Sequence, residues 1–190
     1  MVIRMTCLAS RLIGPFLRLA RDKRAVSAVE FALILPLMLA IYLGGNELSH
    51  ALTIARKVTH VTSSLGDLVT QSKKITNADM TNILNAAASV MTPYPTGTLL
   101  KIKVSGITID ANSIAKVTWS DALNDTPLAV NSIVTNLPAA VKTASTFVVT
   151  AEVHYAYTPV IGYVMTGTFD LKDQFYLRPR LSDTITRSAT

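Results

Sequence analysis

From Val26 to Gly45 the chain is apolar on every side, with Glu30 its only charge. These 20 residues make a helix of about 30 Å, the hydrocarbon thickness of a bilayer. Within it "FALILPLMLAIYL" offers no polar face to water, and a small domain rarely buries such a helix completely, so the stretch predicts a membrane span. A cleaved secretory signal and a buried core helix compete with that reading. The former has a small-x-small site at Ser49-His50-Ala51, but Glu47 lies just before it and the helical pattern runs straight through. Pro36 predicts a local kink of a kind that membrane helices tolerate. After Gly45 the apolar positions narrow to a stripe at Leu48, Ala51, Leu52, Ala55, Val58, Thr62, Leu65 and Val69, with steps of three and four. A helix over 46–70 therefore continues the span, and 26–70 makes a rod of about 67 Å. Gly44-Gly45 and Gly66 are the points where it can bend or end.

The rest of the chain alternates like a water-soluble fold. A second helix is expected over 78–91, with Thr76 or Asn77 as its N-cap and Pro93 and Pro95 closing it. The period then changes to two, which predicts strands near 99–109, 115–120, 146–157 and 167–178. In the first, Leu100, Ile102 and Val104 share a face, and Gly106 shifts the phase to Ile107 and Ile109, as a bulge or tight bend does. In the second, Val117 and Trp119 fall on one face. The third aligns Phe147, Val149, Ala151, Val153, Tyr155 and Tyr157, with Glu152 and His154 pointing the other way. The fourth adds Phe169, Leu171, Phe175 and Leu177. Between the second and third strands the chain reads as loop with one helical turn around Ser132 to Leu137. The fold class is α+β: a long amino-terminal helix whose apolar stripe lids a roughly four-stranded antiparallel sheet. The organisation is a leader over 1–25, a membrane helix over 26–45 and an α+β domain over 46–190.

Charge sets the direction of the span. Residues 1–25 carry Arg4, Arg11, Arg18, Arg21, Lys23 and Arg24 against Asp22 alone, whereas the near side after the span has only Arg56 and Lys57. Arg18, Arg21, Lys23 and Arg24 therefore determine the topology, with the amino end cytoplasmic and the domain on the far side of a single-pass inner membrane. The remaining residues are almost neutral, so the net charge of +6 belongs to the leader and does not point to nucleic acid. Cys7 is the only cysteine, which excludes an intramolecular disulfide and a thiolate metal cluster. A lipid-attachment role fails because the apolar run follows Cys7 instead of preceding it. His50 and His60 are ten residues apart, about 80° from facing each other on a helix, so they make a poor metal pair. The sequence has no G-x-S-x-G, P-loop, H-E-x-x-H or glycine-rich nucleotide motif, and Asp170 and Asp173 read as solvated edge charges. No enzyme, cofactor, metal or small-molecule substrate is expected.

Glu30 is left as the anomaly, because a carboxylate at mid-membrane costs roughly 2.5 to 3.5 kcal/mol on insertion scales. The stretch "RDKRAVSAVEFALILPLMLAIYLGGNELSHALTIARKVTHVTSSLGDL" resembles the TadE-like segment of bacterial Flp (tight-adherence) pilus assembly proteins. The features that carry the resemblance are a basic leader, the small residue Ala25, four residues, Glu30-Phe31, an apolar run with Pro36, and the exit Gly44-Gly45-Asn46-Glu47. "VHYAYTPVIGYV … FYLRPRLS" is similar to the closing strands of that family. The resemblance implies a pilin-like pseudopilin without catalysis of its own, cleaved by a prepilin peptidase between Ala25 and Val26, with other Flp/Tad pilus subunits and membrane lipid as partners. Ala25 departs from the glycine that such sites favour. After cleavage, Glu30 pairs with a new amino group at Val26, in its own or a neighbouring subunit, and so sets the register of one long helix against the next. In an uncleaved chain Glu30 instead snorkels to the cytoplasmic interface. The alternative function is a membrane-tethered or secreted binding module, adhesin-like, that works through the outer face of its sheet.

Overall fold

The computed structural model describes residues 23–162 and 166–188, and the side chains of all of these except 23–25. Cys7, Arg18 and Arg21 lie outside the described residues. Helix α1 runs without interruption over Lys23–Thr70, 48 residues that include Pro36, and so begins three residues before the expected span. It also passes straight through Gly44, Gly45 and Gly66. Then follow β1 (Lys74–Ile75), α2 (Asn77–Val90), a 3₁₀ turn (Gly97–Leu99), β2 (Leu100–Ile109), β3 (Ala115–Leu123), β4 (Thr146–Tyr157), β5 (Phe169–Leu177) and β6 (Thr186–Arg187). Helix α2 starts where its capping box places it. Thr76 Oγ1 accepts from the Asp79 amide, and the Asp79 carboxylate accepts from the Thr76 amide at 3.0 Å. The helix ends one residue before the expected 91, with Met91 as its C-cap.

The main sheet has the order β3-β2-β4-β5 and is antiparallel throughout. Its inner face carries Leu100, Ile102, Val104, Phe147, Val149, Ala151, Val153, Tyr155 and Tyr157, which form one core with α1 and α2. From α1 this core takes Ala51, Ile54, Val58, Val61, Leu65 and Val69. That row differs from the expected stripe, because Leu48 and Leu52 are 50% and 52% exposed. A 3.6-residue period admits two neighbouring rows, and the helix lies on the sheet along the one centred on Ile54 and Val61, which leaves the two leucines on its flank. Gly66 is a contact and not a hinge: a Cβ there would overlap Leu177 Cδ1 of β5. α1 and β5 run in the same direction, since Thr59 donates to Asp173 at 2.5 Å and Asp67 pairs with Arg180 beyond the end of β5. Asp173 is thus tied to the helix and is not a free edge charge.

The outer face holds a second, smaller core of Ile107, Ile109, Ala115, Leu137 and Val148. This corrects the reading of Gly106. β2 stays in register with β4 along its whole length, so β2 itself has no bulge. The irregularity lies in β3, where Gly106 faces Trp119 but Ile107 faces Val117, and Thr118 is the extra residue. Val117 and Trp119 therefore do not share a face. The apolar positions of β2 change sides because the outer face has its own cover, the 124–145 connection. That segment forms no helical turn at 132–137. It folds back instead, with Lys116 bridged to Ile133 and Val134 N donating to Ala115 O at 2.9 Å, and so shields part of the β3 edge. Gly106 has a packing reason of its own: a Cβ there would overlap the rings of Trp119 and Phe147.

A closing clasp completes the domain. β1 and β6 form a two-stranded parallel sheet. Ile185 is buried, its carbonyl accepts from Trp119 Nε1 at 2.9 Å, and Arg187 grips Asp121 in a two-pronged pair at 2.8 and 3.0 Å. That pairing with Asp121 holds the Arg187 guanidinium above its ordinary pKa, against the opposing effect of burial.

Candidate functional site

The residues singled out by sequence lie on the uncovered half of α1. Lys23, Arg24 and Ala25 are in its first turn, and Val26, Glu30 and Phe31 follow on continuous helix. Val26 and Glu30 are four residues apart, one above the other on the same face and about 6 Å apart along the axis. No residue from Val26 to Asn46 is buried, although Phe31, Leu33, Leu37, Ile41 and their neighbours are large and apolar. The helix is long and apolar enough to cross a membrane. Pro36 lies inside it, and Ala40, Leu43 and Gly44 near its end are half-buried.

Glu47, only 3% exposed, is the first buried residue of α1 among the described side chains. Its Oε1 accepts from the Gly162 amide at 2.6 Å, which fastens the β4–β5 connection to the exit of the apolar helix. The Tyr157 hydroxyl is pushed above its ordinary pKa, first by burial and then by the Glu47 charge. Sequence reasoning gave Glu47 as part of the exit motif and as an obstacle to secretory cleavage, but not as a buried residue. The signal that it is buried was its place four and seven residues before Ala51 and Ile54. Nearly three turns further on, Lys57 reaches the carboxyl end of α2, donating to the carbonyls of Val90 and Thr92 and lying 5.4 Å from the Tyr94 ring centroid.

On the outer face His154 Nδ1 and Nε2 each lie 2.9 Å from a carboxylate, those of Asp170 and Glu152. Burial lowers the pKa of His154, but the hydrogen bonds to Glu152 and Asp170 outweigh it, so the imidazole titrates above its ordinary 6.5. Lys101 and Lys172 stand opposite His154 on the neighbouring strands. The cluster is thus a paired network on the sheet and not a set of separate solvated charges. Among the described residues no group of three or more His, Cys, Asp or Glu is arranged to hold a metal ion. His50 and His60 are both exposed on α1.

The uncovered helix and the beginning of the covered one coincide with a match to a known family: residues 25–64 fit the family model for TadE-like protein. This segment is TadE-like. The match begins at Ala25, runs through Glu30, Pro36 and Glu47, and ends on the packed half of α1. The match covers 40 of the 190 residues of the chain. No curated protein and no solved structure matches the chain.

Proposed function

We propose that this TadE-like protein is a pseudopilin or minor pilin, held in the bacterial inner membrane by residues 26–45 of α1 with its α+β domain on the periplasmic side or beyond, and that it acts in Flp/Tad pilus assembly through protein–protein contacts and without catalysis. The observation that carries the reading is that the TadE-like match falls on a helix whose apolar surface its own domain leaves uncovered. That surface is available to lipid and to the equivalent helices of other subunits. A prepilin peptidase removes the leader between Ala25 and Val26. The new amino group then lies one helical turn from the Glu30 carboxylate, and pairing offsets the cost of holding Glu30 in lipid. The secretory alternative has less support, because its cleavage site would sever α1 at Ala51, a buried core residue, and remove Glu47.

Intact mass of the protein purified from membranes tests processing: a chain starting at Val26 is expected. A start at Leu52 would establish secretion, and an intact leader would leave a plain anchor. A second experiment tests Glu30. Glu30→Ala should insert into the membrane as well as the parent or better, because the desolvation cost is gone. Crosslinking to other pilus components should fall. If the variant crosslinks and supports piliation like the parent, Glu30 only snorkels and the pairing role is wrong.

A further inference from the structure

The β4–β5 connection has an unusual composition for a solvent loop. From Tyr155 to Phe169 there is no charged residue, whereas exposed turns are ordinarily polar. At its tip Val160 is 94% exposed, more than any other large apolar side chain among the described residues, and Ile161 beside it is also exposed. Isolated apolar side chains on a surface are ordinary. Here, however, their position is fixed. The Gly162 amide is bonded to Glu47, two residues beyond the end of the apolar run and so about 3 Å further along the helix axis. Strand pairing ends at Tyr157 and Phe169, and the Thr158 and Thr168 hydroxyls, 3.0 Å apart, continue the ladder by one rung. The opposite end of β4, at Thr146, is eleven residues away, about 36 Å along the strand.

We propose that the tip Pro159-Val160-Ile161 enters the interfacial layer of the leaflet from which α1 emerges, giving the domain a second contact with lipid beside its span. The occupant is lipid because the Gly162–Glu47 bond holds the tip close to the end of the apolar run of α1, and because the tip carries no charge with which to select a protein partner. The buried Glu47 holds that contact at a set height. This inference rests on the membrane-anchor reading. If both hold, the domain does not swivel about a single helix, and its sheet keeps one orientation to the bilayer.

The test uses the full chain with Cys7→Ser and a single cysteine at one of three exposed positions: Ile41→Cys in the span, Val160→Cys at the tip, or Ile133→Cys at the far end of the sheet. Each is labelled with an environment-sensitive fluorophore and reconstituted into phosphatidylethanolamine–phosphatidylglycerol vesicles. Some vesicles contain lipids that carry a nitroxide either near the headgroup or deep in the chain. The label at Ile41 should be quenched by the deep nitroxide. The label at Val160 should be quenched by the shallow one with a blue shift in emission, and that at Ile133 by neither. A Val160 label that behaves like Ile133 while Ile41 is quenched would overturn the second contact and leave the anchor standing. Three unquenched labels would overturn both. A Val160 label shielded only when other pilus components are added would overturn the lipid assignment in favour of a protein.

Discussion

The two halves of α1 are one helix in two environments. Residues 26–46 are apolar around almost the whole circumference and none of them is buried, whereas 47–70 are apolar along one row and that row is buried. The difference lies in how apolar residues are distributed around the axis. A uniform surface has no face to give a sheet and suits a medium that surrounds it, while a stripe requires a partner on one side. Glu47 stands at the change, a carboxylate held by a backbone amide where the all-round apolar surface gives way to the packed row.

That comparison is broken most severely by removing a side chain from the buried row. Leu65→Ala should cost about 2–5 kcal/mol in the unfolding free energy of the full chain in detergent, followed by tryptophan emission from Trp119 in a denaturant titration. Gly66→Val comes next, because its side chain must displace Leu177, and the expected loss in the same titration is about 1–3 kcal/mol. If Gly66→Val unfolds at the parent's midpoint, Gly66 does not set the approach of α1 to β5. A smaller effect separates the two halves by pH. The folded-state pKa of His154 is raised, so its stabilising contribution is complete below the ordinary 6.5 and is lost as pH rises through the raised value. Unfolding midpoints should therefore decline in the range just above pH 6.5, and His154→Gln should flatten that decline. The smallest effect is expected at Leu37→Ala, on the uncovered half, at no more than about 0.5 kcal/mol by the same emission probe. A loss there comparable with that of Leu65→Ala would mean that the first half is packed by the protein itself.

The α+β class, the single long helix and all four long strands were legible because each has a period extending over many residues. What escaped the sequence depends on contacts between segments. Leu48 and Leu52 fit the helical period as well as Ile54 and Val61 do, and only the approach of the sheet selects between the two rows. Ile107 and Ile109 imitate a bulge, because nothing local reveals that Leu137 returns to cover them. The two-residue strands β1 and β6 are too short to have a period, and their pairing joins segments more than a hundred residues apart. At the candidate site, the motif Ala25, Glu30, Phe31 and Pro36 could be read directly, since it is contiguous. The bond that holds Glu47 could not, since its partner Gly162 is 115 positions away.

The parallel run of α1 and β5 has a mechanical consequence. Tension between an anchored α1 and the domain acts along the helix axis, so Val58, Leu65, the Thr59–Asp173 bond, the Gly66–Leu177 contact and the Asp67–Arg180 pair are all loaded sideways and together. None of them can be peeled away first. Sliding α1 by even one turn would require lifting Leu177 out of the notch at Gly66, so the glycine that brings helix and strand together also acts as a catch against slip.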